Sequence, residues 1–99
     1  MEEIKTILLK HGFSFKKQFG QNFLTDANLL DAIVRDGGVG ADTTVLEIGA
    51  GAGALTRALS KAAKRVVALE IDKTLQPVLA ETLAGCENTE VVFRDFLKA

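Results

Sequence analysis

The chain has 99 residues, 47% hydrophobic and 25% charged, and carries a net charge of −1 at neutral pH. This composition is typical of one small globular domain and excludes a globally basic surface of the kind that binds nucleic acid by charge alone. The single cysteine excludes an internal disulfide and favours a reducing cytoplasm, and the apolar run Ile7–Leu9 is too short for a signal peptide or a membrane span.

Residues 1–24 are predicted to form an N-terminal helix and a basic, aromatic loop. Residues 2–11 read EEIKTILLKH, with acidic residues first and basic residues last, which suits the dipole of a helix. His11 is expected to be solvated or to cap this helix. Lys16 and Lys17 lie among phenylalanines in FSFKKQFGQNFL. This pattern is typical either of contact with RNA phosphates and bases or of a solvated loop whose rings fold onto the core.

Residues 25–99 are predicted to hold a helix followed by strands and helices in alternation. The first helix, capped by Thr25 or Asp26, ends near residue 36. Short apolar runs then alternate with helical runs at a spacing typical of parallel strands joined by crossover helices. The fold class is therefore α/β, the N-terminal half of a Rossmann-like fold with three parallel strands. The predicted elements are strand 44–48, helix 54–63, strand 65–71, helix 74–84 and strand 90–95.

The first strand is expected to have a bare edge. In doubly wound sheets this strand lies near the middle, and its second neighbour comes from the other half of the fold. We therefore expect the sequence to be part of a longer protein. An unprotected strand edge invites pairing with another chain, so we also expect dimerisation through it.

A glycine loop, VLEIGAGAGALTRAL, follows the first strand. Its glycines, among them Gly49 and Gly51, allow positive φ and close approach of a ligand, and the following helix N-terminus is expected to offer free N–H groups. A phosphate-binding loop of the Walker type is excluded, because no G-K-[ST] follows. The spacing fits both a dinucleotide such as NAD and S-adenosylmethionine.

Acidic residues near the ends of the three strands favour S-adenosylmethionine. Glu47 lies inside the first strand, where a carboxylate is costly to bury without polar contacts to the loop backbone or to the charged methionine portion of a cofactor. Glu70 ends the second strand and can accept hydrogen bonds from ribose hydroxyls. Asp95 ends the third and can accept one from an adenine amino group. Three carboxylates fit a sulfonium better than a pyrophosphate.

Four segments together resemble a known family: FKKQFGQNFLTD, VLEIGAGAGALT, VVALEID and VVFRDFLKA. In this order they closely resemble the N-terminal half of the small-subunit ribosomal RNA adenine dimethyltransferases. These S-adenosylmethionine-dependent enzymes convert two adjacent adenines near the 3′ end of 16S rRNA to N6,N6-dimethyladenine. The macrolide-resistance methylases, which modify 23S rRNA, share a similar Q-N-F-L segment and stay an alternative.

The resemblance implies how several residues contact the cofactor. Gln21, Asn22 and Leu24 are expected to flank it from outside the sheet. Gly49 is expected to approach its methionine end, with Gly51 in the same loop.

The resemblance also implies contacts to the adenosine portion of the cofactor. Glu70 is expected to hold the ribose, and Ile71 to pack on the adenine ring. Asp95 is expected to bind the adenine amino group, with Phe96 alongside. We expect no metal site.

The family's catalytic motif, N-[LI]-P-[YF], is absent, since the only proline is Pro77 in another context. We therefore expect no catalytic residue in this chain and no turnover by the chain alone. The implied partners are 16S rRNA and the 30S subunit in the cytoplasm, with no membrane. A non-catalytic module for ribosome assembly is the alternative of a different class.

Overall fold

The computed structural model describes residues 2–13 and 27–95. Its sheet contains three parallel strands, β1 (Thr44–Ile48), β2 (Arg65–Glu70) and β3 (Thr89–Phe93), in the spatial order β1-β2-β3. The central strand β2 alternates buried and less buried residues along its length. The predicted α/β class with three parallel strands is confirmed, and β1 lies at an edge of this sheet.

Among the described residues, two helices connect the strands and two precede them. Helix α3 (Ala54–Ala62) joins β1 to β2, and α4 (Gln76–Thr82), which follows a short 3₁₀ turn (Lys73–Leu75), joins β2 to β3. Helices α1 (Glu2–Lys10) and α2 (Ala27–Asp36) come before the sheet. The residues proposed to cap α2, Thr25 and Asp26, lie outside the described residues.

The helix predicted over residues 74–84 divides into two parts. The carboxylate of Asp72 accepts a hydrogen bond from the Thr74 N–H at 3.0 Å and starts the 3₁₀ turn. Pro77 lies in the first turn of α4, as predicted, where its missing N–H costs no helical hydrogen bond. The α-helix ends at Thr82 because the chain turns towards Gly85, whose φ is +87°.

Apolar side chains on one side of the sheet hold the helices in place. Ile4 and Leu8 of α1 are buried with residues of α2, α3 and α4, so the N-terminal helix shares the core of the sheet region. Three groups of buried residues make up this core: Ile4, Leu8, Leu30, Ala54 and Val78; Val34, Leu59, Ala63 and Val66; and Ala50, Ala68 and Leu79.

The other side of β1 is open. Leu46 is 62% exposed and Ile48 is 54% exposed, while Val45 packs towards the helices. This alternation is the normal two-residue period of a strand with one covered face. None of the helices in residues 2–13 and 27–95 is long and apolar enough to cross a membrane.

An ionic cluster joins the end of α1 to α4. The Glu81 carboxylate lies 2.7 Å from Lys10 Nζ and 2.8 Å from His11 Nε2, with His11 only 23% exposed. The prediction that His11 is solvated or caps the helix is therefore wrong, because packing of α1 on α4 brings a carboxylate to it. Hydrogen bonds from Lys10 and then His11 lower the pKa of Glu81 below its ordinary 4.5.

We expect the Glu81 cluster to contribute stability that disappears in acid. A carboxyl group whose pKa is lower in the folded state stabilises the protein above the unfolded pKa, and this contribution is lost as the pH falls through the folded pKa. Glu81→Gln should therefore lower the melting temperature near neutral pH and converge with the wild type in acid, below about pH 4. Thermal unfolding at several pH values measures this, with Glu87→Gln, at an exposed residue, as the control. Parallel wild-type and Glu81→Gln curves at all pH values would contradict it.

Candidate functional site

The glycine loop leaves β1 and enters α3 at the carboxyl edge of the sheet. Gly49, Gly51 and Gly53 have φ values of +84°, +58° and +89°, in the region that L side chains avoid. A β-carbon at Gly49 or Gly51 would meet no atom of residues 2–13 and 27–95 within 4 Å, so the outer surface of the loop is open towards this part of the chain. The loop therefore leaves room for a ligand beside the ends of β1 and β2.

The N–H groups of the loop are largely used within the protein. Gly49 and Ala50 donate to the Leu69 carbonyl at 2.7 and 3.3 Å, and Gly53 donates to the Ala50 carbonyl at 2.9 Å. Gly51 donates to Glu70 Oε1 at 2.7 Å. These four N–H groups therefore hold the loop closed, onto β2, onto a carboxylate and onto itself. The predicted free N–H groups belong to the N-terminus of α3, which begins at Ala54, and stay a prediction.

Glu70 is the residue that ties the loop to the end of β2. Its side chain is 6% exposed, and its two carboxylate oxygens accept hydrogen bonds from Gly51 N–H and, at 3.0 Å, from Asp72 N–H. Two N–H donors orient the carboxylate against the loop, yet each oxygen keeps a lone pair for a further donor. A ribose hydroxyl is such a donor.

Glu47 lies under the loop and is partly buried. It accepts a short hydrogen bond from the hydroxyl of Thr56 at the start of α3. Burial raises the pKa of the Glu47 carboxyl above 4.5, the Thr56 hydrogen bond opposes this, and the negative charge of Glu70 adds to the rise. The predicted need for a polar contact is met by this hydroxyl, which the sequence analysis did not select.

Thr56 was missed because its partner is set by the packing of a helix on a strand. It is the third residue of α3 and is 0% exposed, and Ala54 and Leu59 of the same helix are also buried. A buried hydroxyl in a helix needs a hydrogen-bond partner, and an acidic residue in the preceding strand was the available signal.

The other predicted residues are only partly described. The parallel register pairs Glu70 with Phe93, so Asp95, shortly after Phe93, follows β3 at the same edge of the sheet. Ile71, directly after Glu70, is 46% exposed, which leaves its side chain accessible to a ligand. The predictions outside the described residues are those on Lys16, Lys17, Gln21, Asn22, Leu24 and Phe96.

The described site can bind a ligand that carries positive charge and hydroxyl donors. Two carboxylates, Glu47 and Glu70, meet at an open loop whose own donors are mostly engaged. Among residues 2–13 and 27–95, no group of three or more histidine, cysteine or acidic side chains could hold a metal ion.

The family model for ribosomal RNA adenine dimethylase matches residues 12–99. The chain belongs to this family. In this member of the family, the Glu70 carboxylate at the end of β2 is buried against the glycine loop.

Curated relatives of this chain carry the name Ribosomal RNA small subunit methyltransferase A. Those of Bacillus licheniformis and Enterococcus faecalis are each 56% identical over 95 residues, and that of Geobacillus thermodenitrificans is 53% identical. Each comparison covers 96% of this chain and 32% of the relative. The chain therefore spans about a third of the length of these relatives.

Solved structures of RNA methyltransferases share the fold of this chain. The 23S rRNA methyltransferase ErmE is 42% identical, with a TM-score of 0.66 over 75% of this chain and 30% of that protein. A dimethyladenosine transferase from Plasmodium falciparum is 32% identical, with a TM-score of 0.64 over 75% of this chain and 28% of that protein. The predicted family, the Rossmann-like methyltransferase fold and S-adenosylmethionine as the family's cofactor are confirmed.

Proposed function

We propose that this chain is the cofactor-binding part of an enzyme that dimethylates N6 of two adjacent adenines near the 3′ end of 16S rRNA. The observation that carries the proposal is the Glu70 carboxylate, buried against the loop of an rRNA adenine dimethylase. Residues 1–24 would supply a helix and a basic aromatic loop, and residues 25–99 a helix and the βαβαβ half of the methyltransferase domain.

The described residues fit S-adenosylmethionine, whose sulfonium supplies the methyl group. Glu70 would accept hydrogen bonds from the ribose hydroxyls, and Ile71 would cover one side of the adenine ring. Asp95 would accept a hydrogen bond from the adenine amino group. Glu47 would face the positively charged methionine portion, next to the space that Gly49 leaves open.

Residues outside the described part complete the proposed site. Gln21, Asn22 and Leu24 would flank the cofactor from the segment between α1 and α2, and Phe96 would lie beside the adenine. Lys16 and Lys17 would contact RNA phosphates, because lysines neutralise backbone charge without reading sequence.

Methyl transfer to an aromatic amine requires alignment of nitrogen, methyl and sulfur more than acid–base help. In this family's motif the asparagine and aromatic ring of N-[LI]-P-[YF] hold the target base, and the 99-residue sequence lacks that motif. We therefore propose that the 99-residue chain binds cofactor without turning over.

Calorimetry with S-adenosylmethionine, S-adenosylhomocysteine and NAD tests the cofactor. We expect both adenosyl ligands to bind and NAD not to bind, because acidic Glu47 lies under the loop, where it suits the positively charged methionine portion of these ligands better than the anionic pyrophosphate of NAD. Tighter binding of NAD would overturn the proposal.

The small-subunit target is favoured by relatives of that name at 53% and 56% identity, compared with 42% for ErmE. The longer protein encoded by the continued reading frame should methylate 30S particles and leave 23S rRNA unmodified. Methylation of 23S rRNA alone would replace this target with that of the resistance methylases. If the wild type methylates neither RNA and Glu70→Ala still binds the ribosome, the protein is instead a module for ribosome assembly.

The proposed partners follow from this target. A protein that acts on the 30S subunit works in the cytoplasm, where the single Cys86 stays reduced.

We further propose that the 99-residue chain dimerises through the β1 edge, because an edge strand presents unpaired backbone groups and Leu46 and Ile48 are exposed there. Sedimentation at rising concentration should show a dimer, weakened in Leu46→Lys. A monomer at every concentration would contradict it.

A further inference from the structure

The hydrogen bond between Thr56 and Glu47 closes the glycine loop at its base. Glu47 lies before the loop, in β1, and Thr56 lies after it, in the first turn of α3. The Thr56 side chain is 0% exposed, and its hydroxyl donates to Glu47 Oε1. The carboxylate is therefore held at one position under the loop, on the side of the sheet that the helices cover.

The surroundings of Glu47 act on its charge in opposite directions. Burial and the nearby Glu70 carboxylate favour the neutral acid, whereas the Thr56 hydroxyl favours the carboxylate. Glu70 itself accepts hydrogen bonds from the N–H groups of Gly51 and Asp72. In the described part of the chain, the groups that change the pKa of Glu47 are Thr56 from α3, through its hydrogen bond, and Glu70 from β2, through its charge.

We propose that Thr56 is a positioning residue that holds Glu47 under the loop, and that binding of S-adenosylmethionine there is coupled to loss of the Glu47 proton. The coupling rests on the proposed function, since it needs a positively charged ligand at this loop. The O–H bond of the Glu47 carboxyl breaks and its proton passes to solvent. The carboxylate that remains faces the cation, and Thr56 keeps its own proton throughout.

The sign of the pH dependence follows from this coupling. Ionised Glu47 attracts the cationic ligand, so affinity is full above the pKa of Glu47 and declines as the pH falls through it. Removing the Thr56 hydroxyl takes away a stabiliser of the carboxylate, so this decline moves to higher pH. We expect a move of about one pH unit, the usual effect of one hydrogen bond on a carboxylate.

Titration of the ligand-free chain tests the positioning role independently of any cofactor. NMR with ¹³C-labelled glutamate carboxyls should show the Glu47 pKa about one unit higher in Thr56→Val and close to the wild type in Thr56→Ser. Thr82→Val is the matched control, because Thr82 is 2% exposed and its hydroxyl has no hydrogen-bond partner among the described residues. It should leave the Glu47 titration unchanged. An equal pKa in Thr56→Val and the wild type would overturn the inference.

Calorimetry between about pH 5 and about pH 8 tests the coupling. At about pH 8, the affinity of Thr56→Val for S-adenosylmethionine should be within about twofold of the wild-type affinity. Near the pKa of Glu47, it should be about fivefold weaker than that of the wild type. In buffers of different ionisation enthalpy, the wild type should release protons on binding, and Glu47→Gln should release fewer. Glu47→Gln should also bind more weakly, with a flatter pH profile.

The outcomes separate the coupling from the proposed function. Failure of the wild type to bind S-adenosylmethionine at any pH would contradict both. Binding with a pH profile and proton release that Glu47→Gln leaves unchanged would contradict the coupling alone. A uniform loss of affinity in Thr56→Val at every pH would indicate a merely structural role for the hydroxyl and would also contradict it.

Discussion

Glu70→Ala is expected to weaken the binding of S-adenosylmethionine about a hundredfold, equivalent to about 3 kcal/mol. The substitution removes the proposed acceptor of the ribose hydroxyls and also leaves the N–H groups of Gly51 and Asp72 without their carboxylate. Hydrogen bonds to a charged group contribute about 1.5–3 kcal/mol each, so one lost ligand contact together with a loosened loop accounts for this size.

Glu70→Gln provides a graded comparison for this prediction. Its amide keeps one acceptor oxygen but places an NH₂ group where the second carboxylate oxygen stood. We expect a loss of about tenfold, between wild type and Glu70→Ala. Glu90→Gln is the control, because Glu90 lies on the exposed side of β3, 2.8 Å from Arg65, and should leave binding unchanged. Calorimetry measures all three variants, with circular dichroism to establish that each is folded. Wild-type affinity in Glu70→Ala would contradict the role of this carboxylate.

Gly53→Ala is expected to destabilise the protein by about 3 kcal/mol. Gly53 has a φ of +89°, where an L residue costs about 1–2 kcal/mol. Its added β-carbon would also lie 3.0 Å from both Leu79 Cδ2 and Thr82 Cγ2 of α4, and such overpacking costs about 1–3 kcal/mol. Urea denaturation measures the loss, which is a large share of the stability of a small domain.

Gly85→Ala separates the two causes of this destabilisation. Gly85 has almost the same φ, +87°, but an added β-carbon there meets no atom of the described residues within 4 Å. We expect about 1–2 kcal/mol for Gly85→Ala, which is the backbone cost alone. The excess at Gly53 then measures how closely α4 packs on the glycine loop. Equal losses of stability at the two glycines would show that the side chains of α4 accommodate the added β-carbon at no cost in free energy.

Local sequence patterns were sufficient to predict the order of the strands and helices. Short apolar runs such as TVLEI and RVVALE form strands because they are bounded by turn residues, and Pro77 marks the first turn of a helix because it lacks an N–H. The position of Glu70 at the end of β2, next to the glycine loop, also follows from the parallel order. Strand and helix preferences depend on residues that are close together in the chain, which is why they can be predicted from a single sequence.

Contacts between distant residues needed the tertiary structure. The partner of His11 is Glu81, and this pair forms only when α1 packs on α4. The loop N–H groups of Gly49, Ala50 and Gly51 bind Leu69 and Glu70 across the sheet, since the register of β1 on β2 places those acceptors there.

By itself, the sequence determined the family, the strand and helix order, and which acidic residues stand at the strand ends. Only the tertiary structure decided that Glu70 is buried against Gly51, that Thr56 meets Glu47, and that Gly53 lies against α4. The physical reason is that propensity and periodicity act over a few residues. Hydrogen-bond partners and close packing depend on distances that exist only once helices lie on the sheet.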